Sequence, residues 1–327
     1  MKQLIDPFGR TIEYLRISVT DRCDLRCSYC MSEDVEFLPR QDILSFEEIV
    51  RLAESFAKLG VKKIRITGGE PLMRKKLPEL IARIKQISGI EEVVMTTNGT
   101  LLTQYAKSLY DAGLSRLNIS LDTLKADRFH KLTRRDRLQA VLDGIAEAKK
   151  YPFAGIKLNA VVMRGMNDDE IIDLTDYAIA NEIDITFIEE MPLGEVGYDR
   201  SVTFLSSDDI KKELEGHFSL TASSHKTGGP AVYSSVANSK TRVGFISPHS
   251  HNFCGDCNRI RITAVGRLLL CLGNENSQDL RTFMRANPSD EALTELLVKS
   301  LQLKPEKHDF NLAEEVQILR FMSNTGG

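Results

Sequence analysis

No cysteine stands outside two short stretches of this 327-residue sequence, no apolar run approaches the ~18 residues of a membrane span, and neither sign of charge dominates. Each absence excludes something. Without a long apolar run the chain is not expected to cross a bilayer. The N-terminal "MKQLIDPFGRTIEY" has no apolar h-region, so no signal peptide is expected either. The expected compartment is the cytoplasm, where thiols stay reduced and three disulfides from six cysteines are disfavoured. A net charge of −3 provides no global field for nucleic acid or an anionic membrane. An anionic ligand would have to be met by a local basic cluster. Low-complexity tracts and short exact repeats are also missing.

What recurs instead is a strand followed by a helix. "EYLRIS", "KKIRIT", "EEVVMTT", "RLNISL", "IKLNAVV" and "DITFIE" are short β-rich runs with helical patterns between most of them. "SFEEIVRLAESFAKLG" opens on Ser45 with Glu48 three residues on, a capping box, and places Ile49, Leu52, Ala53, Phe56 and Leu59 on one face. "NDDEIIDLTDYAIANE" reads as another helix, with Asn167 as its cap. Six β/α units in about 190 residues predict an α/β fold with a parallel sheet, open or curled into a partial barrel. They are too few for the closed eight-fold barrel. After about residue 205 the pattern changes. "HFSLTASS", "AVYSSV", "TRVGFIS" and "RIRITAVGRLLLCL" read as antiparallel strands, followed by helices near 279–302. The predicted organisation is a β/α domain over 1–205 and a C-terminal annex over 206–327, with "EVGYDRSVTF" as a connecting loop.

The six cysteines divide equally between these regions. Cys23, Cys27 and Cys30 read C-x3-C-x2-C; Cys254, Cys257 and Cys271 read C-x2-C-x13-C. A closed structural zinc site wants four ligands, and three cysteines without a near histidine leave one position unfilled. A [4Fe–4S] cluster held by three thiolates leaves one iron open to a substrate or cofactor, which explains the count better. A three-cysteine zinc knot remains the alternative for the second triad. His249 and His251, just before Cys254, are candidate ligands, although loop histidines are more often hydrogen-bonded; His130, His217, His225 and His308 belong to no constellation.

C-x3-C-x2-C after the first strand, with Tyr29 before the last cysteine and "TGGEP" (Thr67–Pro71) ending the second strand, resembles the radical S-adenosylmethionine enzymes. The second triad narrows this. "CGDCNRIRIT…C", with "RITGGEPL", "TTNGTLL", "LNISLD", "EEMP" and the final "GG", resembles the GTP 3′,8-cyclases of molybdenum cofactor biosynthesis over essentially the whole chain. One departure is visible: the family's tail carries an aliphatic residue before its two glycines, where Thr325 stands here. Alternating polar faces agree with a polar ligand in a sheet lumen. Arg65 and Thr67 share a face, as do Asn118, Ser120 and Asp122, and Arg259 and Arg261, each set backed by apolar neighbours.

The resemblance implies a partial (β/α)6 barrel of the radical SAM type with a C-terminal antiparallel β annex and helices. It implies two [4Fe–4S] clusters, the first on Cys23, Cys27 and Cys30 and the second on Cys254, Cys257 and Cys271. It places S-adenosylmethionine near Tyr29, Gly69, Ser120 and Met191, and GTP against Arg16, Arg65, Thr96, Lys157, Arg259 and Arg261. A 5′-deoxyadenosyl radical would take the hydrogen from C3′ of GTP, whose C3′ then attacks C8, while the second cluster anchors the guanine. Gly326 and Gly327, with Arg259 and Arg261, are implied to assist that radical step. Partners implied are an electron donor of unknown identity and the next pathway enzyme, cyclic pyranopterin monophosphate synthase. Oligomeric state is not written in the sequence, a homodimer being one option. Rival readings are a radical peptide-modifying enzyme with an auxiliary cluster and a non-enzymatic two-cluster electron carrier.

Overall fold

Six strands follow one another across a parallel sheet: β1 (Tyr14–Ser18), β2 (Lys63–Thr67), β3 (Glu92–Thr97), β4 (Arg116–Ser120), β5 (Gly155–Val162) and β6 (Asp184–Glu189). The computed structural model describes residues 3–312 and 318–326; Gly327 lies outside the described residues. The strands are two-faced. Leu15, Ile17, Ile64, Ile66, Leu117, Ile119 and Leu158 point into a core shared with the helical residues Leu52, Phe56, Ile81 and Ile145. Fully burying one such side chain contributes ~1.5–3 kcal/mol, so this face is fixed by burial. The opposite face carries Arg16, Arg65, Thr96, Asn118 and Lys157, which line a cavity.

The capping box forms as expected: Glu48 N–H donates to Ser45 Oγ at 3.1 Å and Ser45 N–H donates to Glu48 Oε2 at 2.7 Å, opening the helix Phe46–Lys58. Asn167 is a correction. Its side chain caps no helix. It accepts from Met163 N–H and donates to the carbonyls of Asp122 and Val161, tying the ends of β4 and β5 together. Those two carbonyls sit at the sheet's end, where no strand neighbour satisfies them, and the buried amide does so instead.

The C-terminal strands are β7 (Leu220–Ser223), β8 (Val232–Val236), β9 (Arg242–Ile246), β10 (Arg259–Ile262), β11 (Arg267–Leu269) and β12 (Ser277–Asp279). They join the same twelve-stranded sheet, in the order β12-β11-β10-β1-β2-β3-β4-β5-β6-β9-β8-β7. The annex is thus two antiparallel ribbons, one on each edge of the six-strand core. Its inner strands are not purely antiparallel, as the sequence pattern had predicted: β9 runs parallel to β6, and β10 runs parallel to β1. The core's open edges offer unpaired N–H and C=O groups, and these strands satisfy them. Helices Leu280–Ala286 and Asp290–Leu301 follow, within the predicted stretch. Among the described residues, no helix is long and apolar enough to cross a membrane.

Candidate active site

The loop after β1 carries the first triad. It is stitched to the rest of the chain by backbone bonds: Arg26 and Ser28 N–H donate to Thr133 and Leu132 O, and Cys30 N–H donates to Cys27 O, all at 2.9 Å. The turn after β2 grips the start of the same loop, with Gly69 N–H donating to Thr20 O at 2.8 Å and Glu70 N–H to Arg22 O at 2.7 Å. A Cβ on Gly69 would lie 2.5 Å from Arg22 O and 2.6 Å from Asp21 O. Glycine is therefore demanded here by the protein's own backbone. Gly69→Ala is expected to displace the loop and lose iron from the first site while the far-ultraviolet circular dichroism stays native. Full iron content in that variant would refute the coupling. Glu70 locks the turn to β3, accepting from Leu72 and Asn98 N–H and from Thr97 Oγ1. Burial raises its carboxyl to about 7.

All six cysteines are free thiols and all six line one cavity of about 300 Å³. Burial pushes Cys30 up to about 12 and raises Cys23 and Cys27 as well, Cys23 also because of the Glu70 carboxylate and Cys27 also because of the neighbouring triad sulfurs. Leu25 N–H at 3.4 Å and Asn98 Nδ2 at 3.7 Å donate to Cys23 Sγ, as donors around a ligating thiolate do. Among the described residues, no three His, Cys, Asp or Glu side chains converge as the ligands of a single ion would. Each triad puts three thiols on the wall of that cavity, a donor set of the kind that holds an iron–sulfur cluster.

Register builds the cavity's cationic side. Arg16 sits opposite Arg261 on β10 and Arg65 on β2, while Thr96, Asn118 and Lys157 are aligned across β3, β4 and β5. Arg65 donates to Thr96 Oγ1 at 3.0 Å and to Tyr14 Oη, Lys157 Nζ to Tyr233 Oη at 2.9 Å, and Arg261 to Gly326 O at 2.6 Å; Arg259 lies over the Phe253 ring. These partners are neutral groups. Burial lowers Arg261 to about 10 and also lowers Lys157, and neighbouring cations add to both shifts. Burial would raise the Tyr14 phenol, yet Arg65, Arg16 and Lys63 pull it down to about 8. Such a concentration of positive potential is built for a polyanion.

Acceptors gather elsewhere in the cavity. Tyr29 Oη donates to Asp122 Oδ2 at 2.6 Å, and Val161 N–H to Asp122 Oδ1 at 2.9 Å; burial raises Asp122 to about 6. Ser120 and Met191 line the same space. Asn159 Oδ1 and Glu190 Oε2 are buried there without a hydrogen-bond partner, which suits a ligand bringing hydroxyl or amine donors. Glu190 reveals that "EVGYDRSVTF" is more than a connecting loop. Tyr198 Oη donates to Glu190 Oε1 at 2.6 Å, and Arg200, buried in the short helix Arg200–Thr203, pairs with it at 2.9 Å. Asn159 was within reach of sequence reasoning, since it alternates with Lys157 on β5.

The histidines resolve into structural roles. His249 Nε2 lies 2.9 Å from Glu190 O, and its N–H donates to Glu189, whose buried carboxylate also takes Ser207 N–H and Ser250 Oγ–H. His251 faces Asp208 on the surface. His308, without a constellation in the sequence, lines the cavity and packs on Phe310. The C-terminal tail returns to the site. Gly194 N–H donates to Ile318 O at 2.8 Å, Ser323 N–H reaches Cys30 O at 3.5 Å, and Met322 lines the cavity. Leu319, in contrast, leaves its side chain 78% exposed, and its contact is through the backbone N–H, which donates to Glu275 Oε1 at 3.1 Å. Thr325 is fully buried and satisfies its hydroxyl on Met322 O at 3.0 Å, so the polar residue fits where an aliphatic one was expected.

The Radical SAM superfamily model matches residues 17–178, and the Molybdenum Cofactor Synthesis C model matches residues 183–310. The chain is 54% identical over 327 residues to GTP 3′,8-cyclase 2 of Pseudomonas aeruginosa, covering 99% of both chains. It is 55% identical over 327 residues to GTP 3′,8-cyclase of Ectopseudomonas mendocina, again covering 99% of both. Among solved structures, Streptococcus suis SuiB bound to S-adenosylmethionine superposes with a TM-score of 0.61 at 16% identity, over 90% of this chain and 69% of that one. The last similarity is one of fold.

Proposed function

Because the chain belongs to the GTP 3′,8-cyclases of the radical SAM superfamily, it converts GTP to (8S)-3′,8-cyclo-7,8-dihydroguanosine 5′-triphosphate in the first step of molybdenum cofactor biosynthesis, and we propose that the cavity just described is where it does so. The observation that carries this placement is a single cavity lined by both cysteine triads and by Arg16, Arg65, Arg259 and Arg261. Cys23, Cys27 and Cys30 would hold the first [4Fe–4S] cluster, and Cys254, Cys257 and Cys271 the second. When bound, the first cluster would supply the electron that cleaves S-adenosylmethionine to methionine and a 5′-deoxyadenosyl radical, and that radical takes the hydrogen atom from C3′ of GTP.

The chain's own part is positioning. Tyr29, Gly69, Ser120 and Met191 surround S-adenosylmethionine, with Asp122 fixing the Tyr29 ring through its hydroxyl. Asn159 Oδ1 and Glu190 Oε2 offer it two further acceptors. Arg16, Arg65, Thr96, Lys157, Arg259 and Arg261 hold GTP, the cations meeting its phosphate oxygens. The division of labour at residues 205 and 206 belongs to the same reading. Region 1–205 carries the radical chemistry, and 206–327 carries the second cluster and the two strand-paired arginines. We further propose a cytoplasmic protein served by an external one-electron donor, passing its product to cyclic pyranopterin monophosphate synthase. A homodimer is compatible with this arrangement, and sedimentation of the holoenzyme decides it.

Arg261→Ala tests the substrate placement. A charge-assisted hydrogen bond is worth ~1.5–3 kcal/mol, so GTP affinity should fall between about tenfold and a little over a hundredfold by calorimetry. Both clusters should still assemble. Unchanged affinity would remove Arg261 from the GTP contacts.

A further inference from the structure

Lys304 lies just after the helix Asp290–Leu301, in "LQLKPEKHDF", where nothing in the sequence separates it from a surface lysine. The structure buries it to 3% exposure and sets it in the wall of the cavity, beside the second triad. Its Nζ donates to Leu270 O at 2.5 Å, to Arg259 O at 3.1 Å and to Cys257 Sγ at 3.6 Å. A neutral amine has two N–H bonds, and an ammonium has three and no lone pair. Three acceptors therefore use every proton of the charged form. The three contacts also join both limbs of the triad, because Arg259 follows Cys257 by two residues and Leu270 precedes Cys271.

None of these partners is a carboxylate. A cation buried this deeply needs an anion within reach, and the sulfur of Cys257 is the one provided. Arg10 supports the same site differently: its Nε pairs with the buried Asp6 carboxylate at 2.5 Å, and its remaining N–H groups donate to backbone, to Cys254 O at 2.7 Å and to Pro305 and Glu306 O at 2.6 Å.

We propose that Lys304 is the built-in countercharge of the second triad, set against Cys257 Sγ so that it biases the cluster ligated there toward its reduced, more negative state. The inference rests on the reading of the second triad as a cluster site. Adding one electron adds one negative charge, and a fixed cation a few ångströms from a ligating sulfur favours that state. Lys304 is thus a positioning and tuning residue, separate from the arginines that meet GTP.

The test is an anaerobic redox titration of the reconstituted holoenzyme followed by electron paramagnetic resonance. The first cluster's signal is identified by its response to S-adenosylmethionine. In Lys304→Met the second cluster's reduced-to-oxidised ratio at fixed potential is expected to fall tenfold or more, about 59 mV for a one-electron couple. The first cluster's potential should stay in place, and Lys304→Arg should retain the wild-type value. An unmoved potential in Lys304→Met overturns the proposal. So does an equal shift in the Met and Arg variants, because side-chain shape rather than charge would then govern. Loss of the second cluster from Lys304→Met and Lys304→Gln, but not from Lys304→Arg, reports the same need for charge. Loss from all three overturns the proposal. A wild-type chain holding only about four irons would instead defeat the cluster reading itself, which keeps the two failures distinguishable.

Discussion

Cys27→Ala is expected to release no 5′-deoxyadenosine from S-adenosylmethionine, and its iron content should fall from about eight to about four per chain. Cys27 is the middle thiol of the first triad and also its backbone pivot, since its carbonyl accepts from Cys30 N–H at 2.9 Å and Met31 N–H at 3.2 Å. Alanine preserves that backbone and removes only the sulfur. Two thiols then remain where three are needed to hold the cluster with one iron open. The second triad hangs from β10 and β11, on separate backbone, so its cluster should persist. Normal 5′-deoxyadenosine output from this variant would show that the first triad does not hold the cleaving centre.

The tail gives the second large effect. Gly326 has φ +79°, in the left-handed region, and a Cβ there would overlap Thr67 Oγ1 at the end of β2. Its carbonyl is the acceptor of Arg261. Gly326→Ala must therefore withdraw from the site and release that guanidinium, on top of ~1–2 kcal/mol of backbone strain. Cyclised product should drop by an order of magnitude or more, equivalent to ~1.4 kcal/mol or above. Both clusters, GTP binding and some cleavage of S-adenosylmethionine should survive. Wild-type product yield from Gly326→Ala would make the tail's placement irrelevant to turnover. The companion glycine, Gly327, lies outside the described residues, and the double alanine variant probes it.

Much of this site is legible along the strands, because alternation forces it. Arg65 and Thr67 on β2, and Arg259 and Arg261 on β10, must share faces once Ile64, Ile66, Ile260 and Ile262 take the core. Partnership across the sheet is a different matter. Nothing in "TRVGFIS" or "RIRIT" says that each will close an edge of the parallel core, yet that choice is what sets Arg261 opposite Arg16. Contacts from irregular segments were hidden for a related reason. Arg200 and Lys304 look like ordinary surface cations until the chain folds back and buries them against Glu190 and Cys257. Asn167 misled because its type suits a helix cap, while the demand of two stranded carbonyls proved stronger.

The most direct measurement is anaerobic reconstitution of the wild-type chain, with iron and sulfide counted, followed by addition of S-adenosylmethionine and reductant with and without GTP. About eight irons per chain and GTP-dependent release of 5′-deoxyadenosine, together with a 3′,8-cyclised nucleotide, are expected. Release only in the presence of a peptide, or no release from a chain that holds both clusters, would contradict the account.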